Sequence, residues 1–255
     1  MRGYRELLEK EVVELWRTYR LGLFCVLFIV LGIASAVITR YLPELDRLLA
    51  RPGEDLGLEP TGIPDVVDFL VRNLVDFGGI AAILLAMGAV AGERSRGTTA
   101  LVLARPVSRS AYLLAKLVAI AMTVGFATVL GVLGAWLWSM LFFELPPVLP
   151  WAQMAVLVWL AVLVPASITF LGSTVFDSPL GAAGLGLGAQ VLFVLASATP
   201  TPSPLLPTQL AAVARGAALE GFDPGVEPPV TIAVAAGIVA VSLGIAWLRF
   251  RRRDL

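Results

Sequence analysis

Apolar residues gather in six stretches, at about residues 21–38, 74–91, 113–143, 151–171, 180–198 and 230–248. A bilayer core of about 30 Å needs about 20 mostly apolar helical residues, because each backbone polar group must be satisfied within the segment. The pattern therefore predicts an all-α integral membrane protein with six spans, a single transmembrane domain over residues 1–255. The third stretch is long enough to tilt or project. The first is too long for the apolar region of a signal peptide and follows an acidic-rich helix, so it reads as a retained span.

Three segments outside the spans also carry helical periodicity. In residues 4–20, Leu8, Val12, Leu15, Trp16 and Tyr19 fall on one stripe, with Arg5, Glu6, Glu9, Lys10, Glu14 and Arg17 largely off it. This is the pattern of a helix lying in the headgroup layer, with its aromatic residues at interfacial depth. Its mixed charges leave room for a protein neighbour. Ile63, Val66, Val67, Leu70 and Leu74 form a second stripe, predicting a surface helix that runs into the second span. A third segment, TQLAAVARGAALE, lies between proline-rich stretches and predicts a short helical cap between spans five and six.

Composition agrees with the membrane reading: 58% hydrophobic residues, 15% charged and a mean hydropathy of +0.87 do not suit a chain facing water. A single cysteine, Cys25, and no histidine leave almost nothing from which to build a thiolate or imidazole metal site, a Cys/His nucleophile or a disulfide. No metal site and no catalytic residues are expected.

The zero net charge is informative only once sorted by position. Of 19 lysines and arginines, only Arg40, Arg47, Arg51, Arg72 and Arg215 fall on the side opposite the N terminus, although those loops are longer. The positive-inside rule then predicts both termini in the cytoplasm, with a basic inner and an acidic outer face.

Within the spans the sequence is sparing. Their middles hold no Asp, Glu, Lys or Arg, and the deep polar residues are Thr123, Thr128, Ser139, Ser167, Thr169, Gln190 and Ser242. Hydroxyls and amides there are expected to bond their own or a neighbouring helix, with Gln190 the best candidate for another role. Ion-coupled transport is disfavoured without intramembrane ionisable groups or paired broken helices. The two lysines, Lys10 and Lys116, follow Glu9 and Ala115, so neither belongs to a phosphate-binding loop. Any driving force must come from a partner. Pro165 is expected to kink the fourth span, and Gly184 and Gly188 have the spacing of a helix-packing or dimer face.

The most informative stretch is residues 92–116, GERSRGTTALVLARPVSRSAYLLAK. Thr98 or Thr99 can cap a short helix over residues 100–104, and Pro106 should stop it. Ser108 or Ser110 can then cap the long third span. Leu101, Val102 and Leu103 would offer apolar contacts among Arg94, Arg96, Arg105 and Arg109. A helix of two turns is not stable alone and should dock on something.

The order of Glu93, Gly97-Thr98, a leucine-rich turn, Arg105-Pro106, Ser108-Arg109 and Lys116 resembles the signature loop of type-2 ABC transporter permeases, E-x-x-x-G-T followed by R-P-x-S-R and K. The resemblance covers residues 93–116 and implies a cytoplasmic coupling helix between spans two and three, seated on a separate ATPase subunit. The interface would be formed by Glu93, Arg96, Gly97, Thr98, Thr99, Leu101, Leu103, Arg105, Pro106, Ser108 and Arg109. It further implies an exporter subunit of a prokaryotic cytoplasmic membrane, paired with a second permease, with ATP and Mg bound by the partner and no cofactor by this chain. The substrate expected is hydrophobic or amphipathic.

Two other classes remain open. A permease-like scaffold could act on, or assist maturation of, an extracytoplasmic protein. A lipid-modifying enzyme would need a polar cluster at the interface, whereas Asp76, Glu93, Glu144 and Asp177 are scattered along the sequence. Asp177-Ser178-Pro179 reads more simply as a helix start.

Overall fold

A computed structural model describes residues 4–49, 62–95, 97, 108–198 and 205–252. All regular elements among them are helical. Helices α1 (Tyr4–Arg17), α2 (Arg20–Leu49), α3 (Ile63–Met87) and the short α4 (Ala91–Ser95) precede residues 96–107 in the chain. Helices α5 (Arg109–Phe142), α6 (Val148–Val175), α7 (Pro179–Ser197), α8 (Leu210–Ala218) and α9 (Pro228–Arg252) follow them. Among the described residues, six helical segments are long and apolar enough to cross a membrane: Arg20–Leu42, Ile63–Ser95, Arg109–Phe142, Val148–Val175, Pro179–Ser197 and Pro228–Arg251. They overlap the six stretches read from the sequence.

Local chemistry explains the helix ends. Tyr19, at φ 58°, is in the left-handed region and separates α1 from α2. Gly62, at φ 101°, precedes Pro64 at the start of α3, where a side chain would be strained. The Ser108 hydroxyl accepts from the Ala111 amide at 3.1 Å, and Ser178 accepts from Gly181 at 3.1 Å ahead of Pro179, as expected. The second stripe runs into the second span as one helix, α3, but not at the surface: Val66, Val67, Leu70 and Leu74 are fully buried.

Helices in lipid gain little from burying apolar side chains against one another, so close packing must hold the bundle together. At the crossing of α2 and α5, a Cβ on Gly32 would overlap the carbonyl oxygen of Gly131. One built on Gly131 would lie 2.8 Å from the carbonyl oxygen of Phe28. These backbones meet directly. In α7 the close approach is made by Gly186, whose Cβ would overlap the Thr169 hydroxyl of α6. Gly184 and Gly188 lie on the other, exposed face, where no described residue comes within 4 Å of an added Cβ.

Most deep hydroxyls bond their own helix, as expected: Thr123 to Ala119, Thr128 to Val124, Ser167 to Val164 and Thr169 to Pro165. Helix α6 runs as one element through Pro165. Ser139 Oγ and Gln190 Oε1 are buried with no partner among the described residues, and the Gln190 amide packs over Gly79. The anticipated cap is α8, held to α3 by an ion pair between Arg215 and Asp68.

Candidate functional site

Three elements converge at the end of the bundle that carries the N terminus. Helix α1 lays Leu7 and Glu11 against the bundle, because with a 3.6-residue repeat they share a face with Lys10 and Glu14. The apolar stripe of the sequence is divided: Leu8 and Leu15 are half-buried and pack against the core, while Val12, Trp16 and Tyr19 are exposed, the last two at 70% and 77%. Its outward part is available to lipid, while Glu11 and Lys10 dock on the chain's own bundle.

The dock is ionic. One oxygen of Glu93 accepts from Lys10 Nζ and from Lys116 Nζ, both at 2.8 Å, and the other accepts from the Tyr112 hydroxyl at 2.5 Å. Lys116 also donates to both oxygens of Glu11 at 3.0 Å. Lys10 reaches Glu11 and Glu14 at 3.0 Å. Glu93 is 4% and Lys116 3% exposed, so both charges are nearly removed from water. Burial disfavours the Lys10 ammonium, yet its hydrogen bond to Glu93, the charge of Glu11 and further bonds to Glu11 and Glu14 outweigh this and raise its pKa above the ordinary lysine value.

Oxygens of Glu11, Glu14 and Glu93 come within 4.8 Å of one another, a spacing that could suit a metal ion. The two lysine ammoniums already take those oxygens, so protein cations neutralise most of the cluster. The arrangement ties α1 to α4 and α5.

Neighbouring contacts fasten the same region on its other sides. The Ser173 hydroxyl of α6 accepts from the Val90 and Ala91 amides, both at 2.9 Å, satisfying donors where α4 begins. Arg94 donates to Asp177 at 2.9 Å, tying α4 to the turn between α6 and α7. The Tyr112 ring stacks on Phe250 of α9 at 5.5 Å, Trp247 donates to Ser110, and Arg109 donates to the Arg251 carbonyl.

Of the residues singled out in the signature loop, Glu93, Gly97, Ser108 and Arg109 are described. Gly97 is exposed at φ 69°, a conformation that favours glycine, and its amide donates to the Arg94 carbonyl. Arg96, Thr98, Thr99, Leu101, Leu103, Arg105 and Pro106, with the short helix expected over residues 100–104, lie outside the described residues. The structure brings the two roots of this loop together, Glu93 on one and Tyr112 and Lys116 on the other. Sequence reasoning missed Glu11, Tyr112 and the pairing of the two lysines. Their signal was present in a chain with only two lysines, one on an otherwise apolar helix face.

Comparison with known proteins agrees with the membrane fold. The chain is 29% identical over 230 residues, 87% of each chain, to a Bacillus subtilis (strain 168) protein described as "Uncharacterized transmembrane protein YxlG". Residues 64–255 match the family described as "Protein of unknown function (DUF2705)". With six helices able to span a bilayer and a match over most of its length, the chain is a multi-pass membrane protein that belongs to the DUF2705 family.

Proposed function

We propose that this protein is the permease subunit of an ATP-driven ABC exporter. Its loop of residues 96–107 is the contact for a separate nucleotide-binding subunit, which holds ATP and Mg. Both termini and the loop lie on the cytoplasmic side of a prokaryotic cell membrane, as the distribution of basic residues favours. The observation that carries this reading is the buried join between the two roots of the loop, Glu93 with Lys116 and Tyr112, which also captures α1 through Glu11 and Lys10.

Such a join makes the loop a lever. Closure of a partner ATPase would push on residues 100–104, and buried ion pairs would pass the displacement to α1, α3 and α5 together. Packed elements of this kind move as units rather than deforming gradually. The motor has to be external, since neither lysine belongs to a phosphate-binding loop. Two permeases would pair across exposed apolar faces, for which the Gly184 and Gly188 side of α7 is suited. The substrate would be hydrophobic or amphipathic, in keeping with spans whose middles carry no charge.

Affinity purification from native membranes, followed by mass spectrometry, tests the assembly. An ABC ATPase in stoichiometric amount is expected, and its absence under conditions that retain the permease would overturn the proposal. In the reconstituted complex, Glu93→Gln should uncouple ATP hydrolysis from transport while membrane insertion persists.

A further inference from the structure

Helix α9 carries an exposed apolar stripe of Val241, Ile245 and Leu248, which share a face at the i, i+4, i+7 spacing. In a span of a membrane protein, such a face meets the bilayer. The stripe ends in charge: Arg249 and Arg251 are exposed, and the terminal sequence RFRRRDL sets four arginines against one aspartate. Arginines one turn beyond an apolar face of this kind reach into the headgroup layer.

The structure fixes how two of the cations are presented. The exposed Trp247 indole donates Nε1 to the Ser110 hydroxyl at 2.9 Å, which holds its ring across the contact between α5 and α9. The Arg251 guanidinium lies over that ring, 5.4 Å from its centre. From α5, the exposed Arg109 donates to the Arg251 carbonyl at 3.1 Å, which brings a second guanidinium to the same turn of α9. Phe250, buried and stacked on Tyr112, anchors that turn from behind. No described carboxylate forms an ion pair with Arg251. Two cations gathered at one turn repel each other, and an anion beside both offsets that repulsion.

Three features select the anion. An indole at the end of a span marks the depth of lipid headgroups. Guanidinium forks match the oxygens of a phosphate. The apolar stripe leading to the arginines suits acyl chains, from which a soluble anion or an acidic protein surface would gain nothing. We infer that Arg109, Arg251 and Trp247 form a headgroup site for an anionic phospholipid, whose phosphate accepts from both arginines while its acyl chains lie along the Val241, Ile245 and Leu248 face of α9. The lipid would then bridge the ends of α5 and α9. The site rests on the membrane fold and requires nothing of the ATPase reading.

Native mass spectrometry of the full chain in detergent tests this with two probes of matched acyl chains, phosphatidylglycerol and phosphatidylcholine. An arginine beside an anionic headgroup is worth about a fivefold preference, so two give about twentyfold. The first lipid bound by the wild type should show that preference for phosphatidylglycerol. Arg109→Gln and Arg251→Gln should each lower it about fivefold and together remove it. Arg40→Gln removes the same charge at the opposite end of the bundle, from an arginine that also lies over an aromatic ring, and should leave the preference unchanged. Absence of a preference in the wild type overturns the inference, and so does an equal fall in Arg40→Gln, which would show diffuse attraction. Displacement of the lipid by soluble glycerol phosphate at matched concentration overturns it in favour of a free phosphate. A monodisperse double variant that keeps the preference also overturns it and leaves the two arginines to a protein partner.

Discussion

The Lys116 ammonium lies 2.8 Å from Glu93 and 3.0 Å from both oxygens of Glu11, so one buried cation joins the first helix, the root of the loop and the longest span. Removing one partner from such a cluster strands the others in a poorly solvated place. Lys116→Met should therefore cost about 3–5 kcal/mol of stability, the range for uncompensated buried charge. Adding Glu93→Gln should recover part of that loss. Thermal unfolding in detergent of the two single variants and the double variant measures the coupling, and simple additivity would contradict a shared network.

Amine chemistry gives an independent check, because Lys10 and Lys116 are the only lysines. Lys116 is buried, and the carboxylates around Lys10 hold its proton more tightly than usual. The folded pKa of Lys10 is raised, so the stability it contributes is complete below about the ordinary value of 10.5 and is lost only as pH rises through the higher folded value. At pH 9, acylation of the folded protein should therefore mark the N-terminal amine and largely spare both lysines. Glu93→Gln, which removes a charge from beside Lys10, should raise its labelling, as read by peptide mass spectrometry.

Much of the fold was legible in the sequence because bilayer thickness constrains it so strongly. Six apolar stretches, Ser108 and Ser178 as caps, and the helix within TQLAAVARGAALE all follow from length, periodicity and local hydrogen bonding. The site was legible only in part. Glu93 stood out through loop spacing, but Glu11 looked like one more charge on an amphipathic helix, since the face it presents depends on where α1 docks. Lys116 fell at the inner end of the third span, where a basic residue is expected, and its burial between Glu11 and Glu93 depends on how α1 and α4 lie against α5. The glycine spacing was silent for a related reason: it marks a face able to pack but not the neighbour, and within the chain α7 packs through Gly186 while Gly184 and Gly188 stay exposed.

That difference predicts contrasting glycine variants. Gly131→Ala places a methyl carbon against the Phe28 carbonyl and should separate α2 from α5, lowering thermal stability by more than 1 kcal/mol, as overpacking does. Gly184→Ala meets nothing within 4 Å among the described residues and should leave the stability of the monomer unchanged or slightly raised, since alanine favours helix over glycine. Size-exclusion with light scattering would show whether Gly184→Ala weakens pairing of two copies.

Ser173 should be equally sensitive, because two backbone amides share its hydroxyl. Ser173→Ala leaves the Val90 and Ala91 donors without that acceptor and should loosen α4 at a cost of about 1–3 kcal/mol. Faster hydrogen exchange confined to the amides around α4 would be the expected readout, with α2 and α6 unaffected.

The central claim, that the loop of residues 96–107 is driven by another subunit, is tested most directly by cross-linking. Cys25 is the single cysteine, so a Cys25→Ala chain carrying Leu101→Cys has one reactive thiol, placed in that loop. With a short photoactivatable thiol reagent in native membranes, the account predicts one adduct whose added mass is that of an ABC ATPase. Labelling of Leu101→Cys by a membrane-impermeant thiol reagent from outside intact cells, with no adduct to any other polypeptide, would contradict it.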